Sequence, residues 1–183
     1  GAAVVFFIDS NNSNKGKARV ATMTSQPSFG TAALFSDAQT EFCTVVFAPY
    51  PHYKYVVIYQ TSSDNNLKAR VGSVSGTGIS FGTEVTIDTN YITGFSMSAS
   101  WNPDDNVVVI SWEDRQSSPN AGMAVLGTIS GTDITFSGLA AFESGNVNYT
   151  SQVYDPDTDQ TLIAFADVDA SSTLKVVTAN VAT

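Results

Sequence analysis

The chain has 183 residues but only one cysteine, Cys43, and one histidine, His52. A lone cysteine excludes an internal disulfide framework and any multi-cysteine zinc site. A lone imidazole excludes the multi-histidine metal centres. Positive charge is also short, with eight Lys and Arg against 17 Asp and Glu, a net charge of −9. Nucleic-acid binding needs clustered cations, so this balance argues against nucleic acid as a partner. An anionic membrane surface is disfavoured for the same reason. Leucine is scarce and no stretch sustains a 3.6-residue period, which leaves little room for helix. No apolar run approaches the roughly 20 residues of a membrane-spanning helix, so membrane insertion is not expected. The residues are nonetheless 43% hydrophobic. That suits a packed core rather than wholesale disorder. The length fits one domain, or several small repeats sharing one core. The chain begins at Gly1 rather than Met, as a processed product or a piece of a longer protein would.

Self-comparison finds a repeat. Lys17-Ala18-Arg19-Val20 returns as Lys68-Ala69-Arg70-Val71, and the same slot then reads Met123-Ala124-Val125-Leu126 and Leu174-Lys175-Val176-Val177. Gly72-Ser73-Val74-Ser75-Gly76-Thr77-Gly78-Ile79-Ser80-Phe81-Gly82 matches Gly127-Thr128-Ile129-Ser130-Gly131-Thr132-Asp133-Ile134-Thr135-Phe136-Ser137, and Pro27-Ser28-Phe29-Gly30 ends a degraded copy. Upstream of the slot, Trp101-Asn102-Pro103-Asp104-Asp105-Asn106 is answered by Tyr154-Asp155-Pro156-Asp157-Thr158-Asp159, with Phe47-Ala48-Pro49-Tyr50-Pro51-His52 in the same place. The period is 51–55 residues, giving units of about 1–41, 42–93, 94–146 and 147–183 within one repeat domain, 1–183.

Each unit carries short runs rich in Val, Ile, Thr, Phe and Tyr, here named a to d. Run a ends at the Asn/Asp-Pro-Asp turn, where Pro fixes φ and the acids can bond nearby amides. Run b is Val56–Gln60 or Val107–Trp112, and run c is Ala69–Val74 or Ala124–Ile129. Run d, Ile79–Ile87 or Ile134–Phe142, follows a Ser-Gly-Thr-Gly or Ser-Gly-Thr-Asp hairpin. Four antiparallel strands at this period are the signature of a propeller blade. The expected fold is therefore all-β, a β-propeller-like array of four-stranded antiparallel repeats reading bcd, abcd, abcd, abc. The unmatched ends fit either a small ring with trimmed blades or part of a larger one. A two-sheet sandwich with internal duplication is the alternative.

Asp155, Asp157 and Asp159 alternate as calcium ligands do, and Asp104 and Asp105 stand in the preceding copy. The glycine and distal glutamate of a calcium loop are missing, so turn chemistry is the plainer reading and no cofactor is expected. The b–c connections display Asn, Asp and Ser together: Asp9–Gly16, Thr61–Asn66, Glu113–Asn120 and Asp167–Ser172. Such side chains suit sugar hydroxyls, and they are equally ordinary in solvated loops. The candidate ligand-binding residues are Asn12, Asp64, Asn65, Trp112, Asp114, Arg115, Asp167 and Asp169, with Trp112 the candidate for stacking on a sugar or else for packing in the core. Trp101, Tyr154 and Phe47 read as packing between units. Cys43 reads as a buried small hydrophobe. His52 lies in a Tyr-Pro-His-Tyr turn without a Gly-x-Ser-x-Gly elbow. Glu113 and Asp114 point to opposite faces of a strand, and Glu84 and Glu143 look solvent-facing. No catalytic set emerges. The sequons Asn11-Asn12-Ser13 and Asn148-Tyr149-Thr150 are unremarkable in so polar a chain.

The combination of Tyr154-Asp155-Pro156-Asp157-Thr158-Asp159, a Val-rich strand, and Ala69-Arg70-Val71-Gly72-Ser73-Val74-Ser75-Gly76-Thr77-Gly78-Ile79-Ser80-Phe81-Gly82 resembles a repeat of phage structural proteins. These are the tail-fibre and virion-associated repeat proteins of marine phages, cyanophages above all. The resemblance spans the chain, blurred in the first unit, and departs at Ala48–His52 and Ser25–Ser28. It implies a non-enzymatic virion or extracellular component, assembled with other subunits and binding cell-surface glycans. A secreted carbohydrate-active propeller, lectin or glycosidase, is the alternative.

Overall fold

The computed structural model describes residues 2–89, 92–116 and 118–179. Gly1, Ser117 of the third b–c connection and the end of the last unit, 180–183, lie outside the described residues. The strands are β1 (Ala2–Asp9), β2 (Lys15–Thr22), β3 (Ser28–Phe29), β4 (Ala33–Ala48), β5 (Lys54–Thr61), β6 (Leu67–Ser75), β7 (Gly78–Phe81) and β8 (Val85–Asp88). They continue as β9 (Ile92–Asn102), β10 (Val107–Asp114), β11 (Gly122–Ser130), β12 (Asp133–Glu143), β13 (Val147–Asp155), β14 (Gln160–Asp167) and β15 (Thr173–Ala179). A 3-10 turn at Ser10–Asn12 is the one helical element among the described residues.

The strands form three antiparallel sheets, of eight, four and three strands. The four-stranded sheet runs β9-β10-β11-β12, which is a-b-c-d of one unit. The three-stranded sheet is a-b-c of the last. The eight-stranded sheet joins two units through β4, whose residues 33–39 pair with β2 and 40–48 with β5. The unit boundary expected at 41/42 therefore falls inside a continuous strand. Bulges at Lys15–Lys17 and at Thr40–Phe42 bend the sheet where β4 changes partners. Its two halves fold face to face, with Phe6 within 6.0–6.2 Å of the Phe35, Tyr55 and Phe81 rings.

The result is four face-to-face layers: β1–β3 with residues 33–39, then residues 40–48 with β5–β8, then β9–β12, then β13–β15. This is not the duplicated two-sheet sandwich, and the layers do not close on one another. Alternation places the core. Val56, Ile58, Leu67 and Ala69 of layer two meet Trp101, Val108, Ile110 and Trp112 of layer three. Phe35, Val57 and Tyr59 fill the gap between layers one and two. Strand β10 is buried along its whole length because layers cover both its faces.

The β10–β11 and β14–β15 registers align Met123 with Trp112 and Lys175 with Phe165, as β1–β2 aligns Lys17 with Phe7. The repeat slot of the last unit is thus Lys175–Thr178, one residue later than the sequence match placed it, because the side-chain face is what repeats. The d run Ile79–Ile87 is broken into β7 and β8 at Gly82. A Cβ on Gly82 would lie 1.9 Å from the Thr132 carbonyl oxygen, at the c–d hairpin of layer three. Gly30 meets the Thr77 carbonyl oxygen in the same way, at 1.8 Å. The Phe-Gly motif thus marks where the next layer's hairpin docks.

Candidate functional site

The b–c connections are joined in pairs at one end of the layers. Thr40 N donates to Asn14 O and Ser62 N to Gln39 O, linking the first two connections. Val147 N to Asn120 O and Val168 N to Asn146 O link the last two in the same way. Within each connection a carboxylate organises the turn. Asp9 accepts from Asn11 N at 3.1 Å and pairs with Lys17 Nζ at 2.7 Å. Asp64 accepts from the Thr61 hydroxyl and Asn66 N and pairs with Lys68 Nζ at 2.9 Å, while Asn65 takes a left-handed φ of 54°. Asp167 accepts from Ala170 N at 3.1 Å and pairs with Lys175. Asp169 holds the Asn146 amide N–H and side-chain Nδ2, at 2.8 and 2.6 Å.

The electrostatics follow these bonds. The Lys17 ammonium holds Asp9 below the usual carboxylate range, and Lys175 does the same for Asp167. Burial pushes Asp64 up, but its bonds to Thr61, Lys68 and Asn66 prevail and lower it. The Asn146 amides lower Asp169. A general acid needs its pKa raised toward the working pH. These carboxylates go the other way and stay ionised as structural acceptors.

Asn12, Asp64, Arg115 and Asp169 are exposed, and Asn65 is half-buried. Asp114 and Asp167 are buried. Asp114 accepts from Gln116 N at 2.9 Å. Trp112 is 0% exposed, in the core between layers two and three. It offers no ring face to a sugar, so its role is packing. Glu113 is buried at 1%. Arg115 Nε and Asn120 Nδ2 bond its Oε1 at 2.9 and 3.4 Å, and Asn148 Nδ2, with the amide turned to donate, reaches Oε2 at 3.3 Å. Glu84 and Glu143 are not simply solvent-facing. Glu84 accepts from Tyr59 Oη at 2.5 Å and pairs with Lys68, and Glu143 pairs with Lys175 across a layer boundary.

The last two a–b turns are Asx turns, while that of the second unit closes through backbone bonds from His52 and Tyr53 to Pro49 O. Asn102 Oδ1 accepts from Asp104 N and Asp105 N, and Asp155 accepts from Asp157 N at 3.0 Å and Thr158 Oγ1 at 2.8 Å. No group of three His, Cys, Asp or Glu that could hold a metal ion lies among the described residues. Just before two of the turns an aromatic reaches the turn of the preceding layer. Trp101 meets His52 edge-on at 5.3 Å, and Tyr154 Oη donates to Asp104 Oδ2 at 2.5 Å. Phe47, in the equivalent position, instead meets Tyr55 of its own layer with the rings tilted, at 4.9 Å, and is half exposed. Cys43 is half-buried beside the Phe35–Tyr59 cluster, and burial pushes its thiol up.

One feature has no counterpart among the sequence candidates. A groove of about 360 Å³ opens on the outer face of layer one, lined by Val5, Phe7, Asp9, Lys17, Arg19, Phe29 and Ala32. Its signal was the Lys-Ala-Arg-Val repeat, whose alternation puts Lys17 and Arg19 on one face with Phe7 and Val5. No protein-family model matches the chain, and no curated protein matches its sequence.

Proposed function

We propose that this chain is a non-enzymatic structural and adhesive β-repeat module of a virion or extracellular assembly, with its layers arranged as consecutive blades of a propeller-like array. The observation that carries this reading is the repetition of the contacts between layers. Gly30–Thr77 and Gly82–Thr132 are one contact made twice. The reach of Trp101 and Tyr154 to the preceding turn is another. A chain that spends its repeated residues on stacking identical units is built as a scaffold. The first strands of successive units, residues 40–48 of β4, then β9 and β13, approach one another more closely than the last strands do. Innermost strands of propeller blades are related in this way.

The adhesive surface is the end that carries the b–c connections, where Asn12, Asp64, Asn65, Arg115 and Asp169 offer hydrogen-bonding groups to cell-surface glycans. The resemblance to phage tail-fibre repeats supports the same assignment. A glycan array that includes bacterial surface polysaccharides, read with and without calcium and followed by analysis of bound sugars for cleavage, tests it. Saturable binding without cleavage is the expected result. Cleavage would replace it with a carbohydrate-active enzyme. Silence across the array would remove the adhesive role and leave the scaffold.

A further inference from the structure

We propose that the outer face of layer one docks onto the outer face of layer four in a second copy of this chain, head to tail. The inference deepens the module reading and rests on it. Its basis is that the two end faces are the same surfaces that meet inside the chain.

Take first the face each layer turns toward the layer before it. In layer two this face holds Val57, Tyr59, Arg70 and Phe81, and in layer three Ile110, Trp112, Val125 and Phe136, related by strand register. Val57, Tyr59, Ile110 and Trp112 are 0% exposed. Arg70 Nη1 crosses to the Phe35 carbonyl of layer one at 3.2 Å, while its Nε holds Gly82 O at 2.8 Å. In layer one the equivalent set is Val5, Phe7, Arg19 and Phe29. These residues line the open groove; Phe29 is 54% exposed and Arg19 points into solvent.

Now take the face each layer turns toward the next. Layer two presents Val56, Ile58, Leu67 and Ala69, all fully buried under layer three. Register makes Leu162, Ala164, Leu174 and Val176 their equivalents in layer four. Leu174 and Val176 are 73% and 58% exposed, and Val153 beside them is 60% exposed. Among the described residues of β13–β15, the charged side chains Lys175 and Asp167 project to the opposite face, and Asp155, at the end of β13 on the same side as Val153, is held in its turn by Asp157 N and Thr158. An apolar sheet face of this kind is uncommon on a surface without a partner.

Each end thus carries half of an interface whose complete form occurs between layers two and three. The contact joins two different surfaces, so it propagates to a closed ring or an open row of copies.

Light scattering on the purified chain and on two variants tests this. Val5→Lys adds a cation to the layer-one face, and Val176→Lys places one on the layer-four face. Both sites are exposed, and circular dichroism checks that the variants fold. The wild type is expected at two or more times the 19.3 kDa chain mass. Each variant alone is expected at the single-chain mass. Their mixture is expected to restore a 1:1 dimer that grows no further, since one intact face of each kind remains. Hydrogen exchange on the wild type, compared across dilution, should show β1–β2 and β14–β15 losing protection together. A wild type that stays a single chain at the highest concentration reached, a variant that still associates alone, or a mixture that does not pair would overturn the proposal. If the chain binds glycans as a monomer, docking fails and the module reading stands; if it associates and cleaves glycans, the reverse holds.

Discussion

The carbonyl oxygen of Thr132 occupies the place where a side chain on Gly82 would begin, 1.9 Å from the position of a Cβ. Gly82 ends a strand of one layer and Thr132 tips a hairpin of the next, so the contact sets the distance between layers. Replacing Gly82 with Ala forces backbone apart rather than a flexible side chain. The expected cost is about 1–3 kcal/mol, the range of overpacking a filled interior. Gly30→Ala should cost a similar amount through Thr77. Gly76 has open space around it but a positive φ of 59°, so Gly76→Ala tests conformational strain alone and should cost about 1 kcal/mol. Urea unfolding of the three variants checks the ordering. Equal effects at Gly82 and Gly76 would mean that the layers yield to the added methyl.

Trp112, Tyr59, Phe165 and Phe7 hold one repeat position, an aromatic near the end of run b that faces the preceding layer in the first three and the open groove in Phe7. The indole N–H of Trp112 is buried without a hydrogen-bond partner. Trp112→Phe therefore removes a polar group that gains nothing from burial, and is expected to cost less than the lost volume alone suggests. Trp112→Ala opens the centre of the layer two–three core and should cost about 3–5 kcal/mol. Denaturant midpoints separate the two. If Trp112→Ala instead leaves stability unchanged and abolishes glycan binding, the ring is a ligand platform.

The repeat, the strand order within units and the packing roles of Trp101 and Tyr154 were legible because each is a periodic pattern of side-chain types. The inner role of Trp112 was legible as one of two readings, core packing or sugar stacking, and the cover from the preceding layer decides for packing. The split of the d run at Gly82 was hidden, because the cause lies in the Thr132 carbonyl of another unit. Glu84 and Glu143 looked solvated for want of knowing that Lys68 and Lys175 project toward them. Local sequence shows which face a residue takes; what covers that face depends on the neighbouring layer.

The acid limb of stability should trace the paired carboxylates. Asp9, Asp64 and Asp167 have folded-state pKa values below the ordinary 3.8. Their contribution is fully present above that ordinary value and is lost as pH falls through the lowered one. Stability is therefore expected to decline from about pH 5 downward. The variant carrying Asp9→Asn and Asp167→Asn should be less stable near neutrality and show a flatter decline. Asp167 is buried and Asp9 half-buried, so added salt should reduce the difference only in part. Urea midpoints measured across the acid range decide it, and parallel curves for wild type and variant would show that these pairs do not drive the loss.

The boundary between layers three and four buries Val109, Ile163 and Phe165 and also holds a hydrogen-bond network with Gln152 at its centre. Its Oε1 accepts from Ser111 Oγ at 2.6 Å, and its Nε2 donates to Ser100 Oγ and Val109 O at 2.8 and 2.7 Å. Its backbone N–H donates to Ser98 Oγ at 3.1 Å. Ser111 is fully buried, so Gln152→Leu leaves its hydroxyl and the Val109 carbonyl without this partner, a loss of about 1–3 kcal/mol. In a stack of layers that loss falls on one boundary. Hydrogen exchange should show β13–β15 opening at lower free energy while β5, β6 and β10 keep their protection. Uniform loss across all strands would instead mean that the four layers unfold as one unit, and that this boundary couples as tightly as the other two.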